Sequence, residues 1–172
     1  MKLKTTEKGF TLLELLVALS IATFVTAAAS MTIITMMRLS PQTNNWAIAL
    51  HQVQNAGYWI SRDVQMSQGT ITVGTGTPTF LTLILPQTPT TNKTIVYRLD
   101  NMPAGGLKKL IRDDAGQQIM IAEYISYANA PPPVYDSVKH TYSLTVTITA
   151  TSGDVPVTRD YKAVQRVSAT SP

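Results

Sequence analysis

The hydrophobic and polar positions divide the start of the chain into two parts. Residues 1–9 are polar and basic, and the 23 residues from Leu15 to Met37 carry no charge. A helix of that length rises roughly 34 Å at about 1.5 Å per residue, which is enough to cross a ~30 Å hydrocarbon layer. Glu14 is the one charged residue between Phe10 and Met37. The pattern predicts a membrane-spanning helix with a carboxylate near its start.

A second helical pattern follows between Asn45 and Gln68. Apolar or small residues recur at steps of four and three, with polar residues such as Gln52 and Arg62 off the stripe. The spacing predicts an amphipathic helix that packs on a sheet, with a stop at Gly69. The stripe comprises Trp46, Leu50, Val53, Gly57, Ile60 and Val64. We expect Trp46 in the core, and Tyr58 and Trp59 either in the core or against neighbouring subunits.

The junction at Ser40 and Pro41 allows two interpretations. Serine at an N-cap followed by proline starts a new helix. Alternatively, Pro41 lies inside one continuous helix and kinks it.

Beyond Gly69 the period changes to two, which is typical of strands. Apolar residues from Tyr142 to Ala150 alternate with serine and threonine. The sequence Asp113-Asp114-Ala115-Gly116 predicts a hairpin turn, and proline- and glycine-rich segments predict loops. Strands joined by short turns without helices predict an antiparallel sheet and an α+β fold. Further strands are predicted at 80–85, 94–99, 107–112, 117–127 and 157–167.

Composition excludes several classes of protein. The chain has 172 residues and 44% hydrophobic content, so it can bury a core and is not wholly disordered. It has no cysteine, which excludes disulfides, thiolate metal sites and cysteine nucleophiles. Lys2, Lys4 and Lys8 precede the apolar run, which predicts a cytoplasmic N-terminus.

Glu14 separates three interpretations of the apolar run. A carboxylate within such a segment costs on the order of 2–3 kcal/mol, so it needs a reason. An uncleaved signal anchor gives no reason for a carboxylate at this position. A secretory signal peptide, cleaved after Ala27-Ala28-Ala29 and before Ser30, does not supply one either.

The third interpretation is a resemblance. The sequence Lys8-Gly9-Phe10-Thr11-Leu12-Leu13-Glu14 resembles the prepilin motif of type IV pilins and type II secretion pseudopilins. That motif consists of a short basic leader that ends in glycine, a phenylalanine, and glutamate at the fifth mature position. The resemblance implies that a prepilin peptidase cleaves between Gly9 and Phe10 and N-methylates Phe10. It also implies that Glu14 pairs with the N-terminal amine of a neighbouring subunit.

The resemblance implies a domain organisation and a set of partners. Residues 1–9 are a cleaved cytoplasmic leader, 10–38 a transmembrane and filament-core helix, 39–68 an amphipathic helix, and 69–172 an antiparallel sheet domain. Small residues at Ala18, Ala22, Thr26 and Ser30 suit close helix packing in lipid. Expected partners are the prepilin peptidase, other pilin or pseudopilin subunits and an inner-membrane assembly platform driven by an ATPase. The turn-rich outer domain favours a minor subunit.

The expected location follows from the same helix. The chain crosses the inner membrane once, with its C-terminal domain outside the cytoplasm, before it enters a pilus or pseudopilus. The alternative is a membrane-anchored or Sec-secreted extracytoplasmic binding domain.

Searches for catalytic and ligand-binding motifs are negative. Neither His51 nor His140 belongs to a metal-binding pair, and no phosphate-binding loop or nucleophile elbow occurs. Asp113 and Asp114 are assigned to turn chemistry rather than to Ca²⁺. Lys108, Lys109 and Arg112 are assigned to a solvated strand face, so no nucleic acid partner is expected. We therefore expect no catalysis, metal or cofactor.

Overall fold

The computed structural model describes residues 9–74, 79–88, 91–103 and 105–166. Two compact units are present, residues 1–42 and 43–172. One helix, α1, covers Leu12–Met66 and contributes to both units. Eight strands follow it among the described residues, and the predicted α+β class is confirmed.

Helix α1 continues through Pro41. The predicted helix start at Ser40 is therefore wrong, and the alternative of one continuous helix is confirmed, whereas the kink at Pro41 stays a prediction. Proline has no N–H group, so the helix loses the hydrogen bond that residue 41 would donate to the carbonyl of Met37, and the proline ring crowds that carbonyl. In the first unit, the helical side chains from Leu12 onward are exposed.

The buried face of α1 begins at Ala49. Ala49, Val53, Ala56 and Ile60 are at most 1% exposed, and they pack against the sheet within the second unit. Trp46 is 48% exposed, so its predicted place in the core is wrong. The buried residues follow the predicted spacing of three and four, but they begin at Ala49. The reason is that the sheet packs on the helix face next to the predicted one.

Gly57 marks the closest approach between α1 and the sheet. A Cβ atom at this position would collide with the ring of Tyr161. The glycine lowers the helix propensity of the segment by about 1 kcal/mol, but it lets the aromatic ring lie on the helix backbone. Close packing of α1 on the sheet thus requires a glycine at position 57.

The sheet is antiparallel throughout. Its order is β1-β2-β3-β4-β5-β7-β6, with β8 on β7 as well. The strands are β1 Thr72–Val73, β2 Thr79–Pro86, β3 Asn92–Asn101, β4 Lys108–Asp114, β5 Gln117–Asn129, β6 Val134–Asp136, β7 Thr141–Ser152 and β8 Val155–Val164.

All six predicted strands are present with boundary shifts, and the short β1 and β6 were missed. In β7, Leu144, Val146, Ile148 and Ala150 are at most 1% exposed, so the predicted alternation is confirmed. The last predicted strand ends at Val164, and Val167 lies outside the described residues.

The predicted turn between β4 and β5 is confirmed. Ala115 and Gly116 both have positive φ, as a two-residue type I′ hairpin requires. The Asp113 carboxylate accepts a 2.8 Å hydrogen bond from the N–H group of Gly116. Asp113 therefore acts in the turn, as predicted, whereas Asp114 has ionic partners in the neighbouring strands.

A buried charged network joins α1 to the sheet. Asp63 is fully buried, and it accepts 2.6 Å hydrogen bonds from the Tyr97 hydroxyl and from Nε of Arg112. Arg112 also donates to Asp114, which in turn accepts a 2.8 Å bond from Lys93. Arg112 is 7% exposed, so its assignment to a solvated strand face is wrong. Its guanidinium lies 5.4 Å from the centre of the Trp59 ring.

Burial and charge shift the pKa values within this network. Burial is the largest cause that raises the pKa of Tyr97, and the charge of Asp63 raises it further. Burial alone would lower the pKa of Arg112, but the hydrogen bond and charge of Asp63 outweigh it and raise that pKa. The hydrogen bond from Lys93 is the main cause that lowers the pKa of Asp114. Arg112 is therefore charged, and it donates to the carboxylates of both Asp63 and Asp114.

Replacement of Asp63 is expected to destabilise the fold. Asp63→Asn removes the fully buried carboxylate from Arg112 and leaves Asp114 as the charged partner of the guanidinium, so we expect a loss of about 3 kcal/mol, the lower end for a broken buried pair. The measurement is urea-induced unfolding of the full chain in detergent micelles. Asp113→Asn is the control, because Asp113 serves an exposed turn, and its loss is expected to stay near 1 kcal/mol. Equal losses in the two variants would contradict the network's role.

The lowered pKa of Asp114 predicts how the free energy of unfolding changes with pH. Its pKa is lower in the folded chain than its ordinary value of 3.8, so its contribution to stability is present above that value. The contribution is lost as the pH falls through the folded-state pKa. We expect Asp114→Asn to reduce the slope of unfolding free energy against pH below about pH 4. The measurement is urea unfolding at a series of acidic pH values, and an unchanged slope would refute the assignment.

Candidate processing and assembly site

The predicted cleavage site lies immediately before α1. Gly9 and Phe10 are exposed and precede the first helical residue, Leu12. Among the described residues, no heavy atom beyond Gly9 and its two chain neighbours lies within 4 Å of a Cβ atom placed on Gly9. A peptide bond outside regular structure is accessible to a protease without unfolding of a helix. The leader lysines, Lys2, Lys4 and Lys8, lie outside the described residues.

Glu14 and Thr11 form a reciprocal cap at the start of the helix. The Thr11 hydroxyl accepts a 3.2 Å hydrogen bond from the N–H group of Glu14. Oε2 of Glu14 accepts from the N–H group of Thr11 at 3.2 Å and from its hydroxyl at 3.3 Å. This is a capping box, which satisfies backbone donors that a helix start otherwise leaves unpaired. A negative charge here is also favoured by the helix dipole.

The two carboxylate oxygens of Glu14 differ in their contacts. Both bonds from Thr11 go to Oε2. Among the described residues, no hydrogen bond or ion pair involves Oε1 of Glu14. A carboxylate offers about four acceptor positions, so Glu14 can cap its own helix and accept a further donor. Cleavage after Gly9 would leave Thr11 and Glu14 in place and would create an amine on the residue before Thr11.

The helix after Glu14 presents an apolar surface with no cover. Large apolar side chains from Phe10 to Leu39 are 48–86% exposed. The described residues contain one helix long and apolar enough to cross a membrane, and no residue of its most apolar stretch is buried. A surface of this extent needs lipid or another protein around it.

The hydroxyl groups in this segment are satisfied within the helix. Each serine or threonine hydroxyl from Ser20 to Thr35 donates to a backbone carbonyl three or four residues earlier. Buried polar groups in lipid must find such partners. Thr26 and Ser30 can therefore lie beside Ala18 and Ala22 on a smooth face of small side chains, as predicted for helix packing.

The remaining candidate residues form no ligand site. His51 is exposed on α1, as expected. His140 is exposed, and its Nδ1 atom lies 3.2 Å from the Tyr135 hydroxyl. Within the described residues, no group of three or more His, Cys, Asp or Glu side chains could hold a metal ion. Lys108 and Lys109 are half-buried on β4.

Sequence reasoning missed two features of this chain. The local partner of Glu14 was detectable, because Thr-x-x-Glu before an apolar run is the signature of a capping box. Asp63 and Arg112 were not detectable as a pair, since 49 positions separate them and neither lies in a recognisable motif.

The comparisons support the N-terminal assignment. Residues 4–30 match the family described as the prokaryotic N-terminal methylation motif. No curated protein and no solved structure matches the chain. The match contains Gly9, Phe10, Thr11 and Glu14, and the fold behind it is one long helix with an antiparallel sheet packed on its second half. Residues 4–30 thus carry the prokaryotic N-terminal methylation motif, which supports the resemblance of the chain to the type IV pilin and pseudopilin family.

Proposed function

We propose that this protein is a structural subunit, and a minor one, of a type IV pilus or a type II secretion pseudopilus. Prepilin peptidase cleaves it between Gly9 and Phe10 and methylates the new amine of Phe10. The observation that carries the proposal is the uncovered apolar helix that starts with a capping carboxylate, Glu14, inside the matched motif. Such a subunit is a substrate of an enzyme and catalyses no reaction itself.

The uncovered helix supports two successive environments. In the membrane, lipid surrounds the side chains of residues 10–38. In the filament, helices of other subunits replace the lipid. Both environments are apolar, so the transfer costs little hydrophobic free energy, and close packing of small residues such as Ala18 and Ala22 favours the filament.

Glu14 supports a specific contact in the filament. The amine of Phe10 is a cation once the leader is removed, and it lies in an apolar environment. Oε1 of Glu14 on an adjoining subunit can accept from this amine while Oε2 continues to cap its own helix. A buried charge is tolerable when it is paired, whereas loss of one partner costs about 3–5 kcal/mol. The pairing would favour one stagger between neighbouring helices.

The proposed organisation follows from these contacts. Residues 10–38 form the filament core, residues 39–68 link it to the outer domain, and residues 69–172 form the sheet domain outside the cytoplasm. Before assembly, the subunit is anchored in the inner membrane, where the assembly platform binds it. The turn-rich sheet domain supports a subunit that is present in few copies.

Two variants separate the charge of Glu14 from its capping role. Glu14→Gln keeps acceptor atoms for the cap but removes the charge, and we expect its incorporation into filaments to fall at least about tenfold, because the neighbouring amine loses its counter-ion. Thr11→Ala weakens the cap by about 1 kcal/mol and keeps the charge, so it should incorporate nearly as well as the wild type. The measurement is the amount of subunit in sheared filaments, quantified by mass spectrometry against the processed chain in membranes.

Two results of this measurement would contradict the proposal. If Glu14→Gln incorporates as the wild type does, the charge pair is not required. If neither the wild type nor the variants occur in filaments of cells that assemble them, the chain is a membrane-anchored domain instead.

A further inference from the structure

Strand β5 changes its partner halfway along its length. Residues from Gln117 to Ile125 pair with β4, and residues from Ile125 to Asn129 pair with β7. The change coincides with Tyr124, whose φ of 59° is unusual for a bulky residue. Register shifts in the β4 pairing occur over the same stretch. Each half of β5 therefore has one edge that no strand among the described residues covers.

The uncovered edge of the first half is closed by side chains of α1. Nδ2 of Asn55 donates to the carbonyl of Ile121. The N–H group of Glu123 donates to Oε1 of Gln52 at 2.9 Å. These two amides replace a neighbouring strand, because buried backbone groups need partners.

No strand among the described residues pairs with the corresponding edge of the second half. Strand β4 begins at Lys108, opposite Ile125, and so ends its pairing before Ser126–Asn129. A cavity of about 470 Å³ lies there, and the apolar side chains of Phe80, Leu99 and Ile125 form part of its wall. We call this space, between β5 residues 126–130 and Phe80, Leu99 and Lys108, the β5 groove.

The other long edge of the sheet differs from the β5 groove. The outer strand β8 carries Pro156, Asp160 and Lys162, residue types that discourage strand addition at an edge. Residues 126–130 of β5 include neither proline nor charge. The fold thus protects β8 and leaves the edge of β5 able to accept a strand.

The charge at one end of the groove indicates what its occupant carries. Nζ of Lys108 donates to Oδ1 of Asn101 at 3.0 Å, and no carboxylate among the described residues pairs with it. Lys109, its neighbour in β4, lies opposite Asp100 in β3. An acidic residue on an incoming segment would complement Lys108.

We propose that the β5 groove binds an extended segment of a neighbouring filament subunit. The segment adds a strand to Ser126–Asn129, places an apolar side chain against Phe80 and Leu99, and directs a carboxylate to Lys108. Backbone hydrogen bonds supply affinity in this mode, and side-chain pockets supply specificity. The identity of the neighbour rests on the proposed function, whereas the pairing chemistry does not.

The pairing is tested with the purified full chain in detergent micelles. The probe is an acetylated and amidated hexapeptide, Thr-Ile-Val-Phe-Glu-Thr, and the readout is amide hydrogen exchange. We expect exchange within Tyr127–Asn129 to slow about tenfold at saturation, since the open edge gains partners. The control peptide is N-methylated at alternate backbone nitrogens, and we expect it to bind at least about tenfold more weakly.

A charge exchange tests the position of the segment. Lys108→Glu should weaken binding of the hexapeptide about fivefold and strengthen binding of a version with Lys in place of its Glu. Lys109→Glu is the matched control, because adjacent residues in a strand point to opposite faces. Equal effects of the two variants, equal binding of the N-methylated peptide, or no protection at Tyr127–Asn129 would overturn the proposal.

The neighbour is tested by a photocrosslinking residue at Tyr127 in filaments. A crosslink to an extended segment of a protein with a prepilin motif supports the assignment, and crosslinks only to other proteins overturn it. A chain that never enters filaments refutes the proposed function instead. The hexapeptide results remain valid in that case, because they use the purified protein.

Discussion

An apolar helix with nothing around it is the constraint on which the other features of this protein depend. The apolar side chains of residues 10–39 cannot remain in water, and no described residue of their own unit covers them. Their hydroxyls and backbone groups are satisfied within the helix, so the segment suits lipid and suits other helices equally well. A motif that retains this helix after cleavage is consistent with a protein that moves from membrane to filament.

The same helix meets a different environment in the second unit. From Ala49 onward its buried face is covered by a sheet, and small residues such as Gly57 let the two surfaces approach closely. Asp63 and Arg112 add a charged contact inside this apolar interface. Such a pair contributes little net stability, but it disfavours other alignments of helix and sheet because they would leave a buried charge without its partner.

Much of this fold could be predicted from local patterns. The uncharged run, the alternation in β7 and the turn at Ala115-Gly116 are each encoded by residues close together in sequence. The prediction for Trp46 was wrong because two adjacent faces of one helix can both show apolar residues at a spacing of three and four. Tertiary packing determines which of the two faces is buried. The pairing of Arg112 and the change of partner at Tyr124 depend on residues far apart in the chain, which no local pattern contains. At the N-terminus, the methylation motif could be predicted from the sequence, whereas the finding that both bonds from Thr11 go to Oε2 of Glu14 required atomic positions.

The most direct test of this account is the intact mass of the protein purified from cells whose prepilin peptidase is active. The account predicts a chain that begins at Phe10 and carries one methyl group on its α-amine. A chain that still begins at Met1, or one that begins at Ser30, would contradict it.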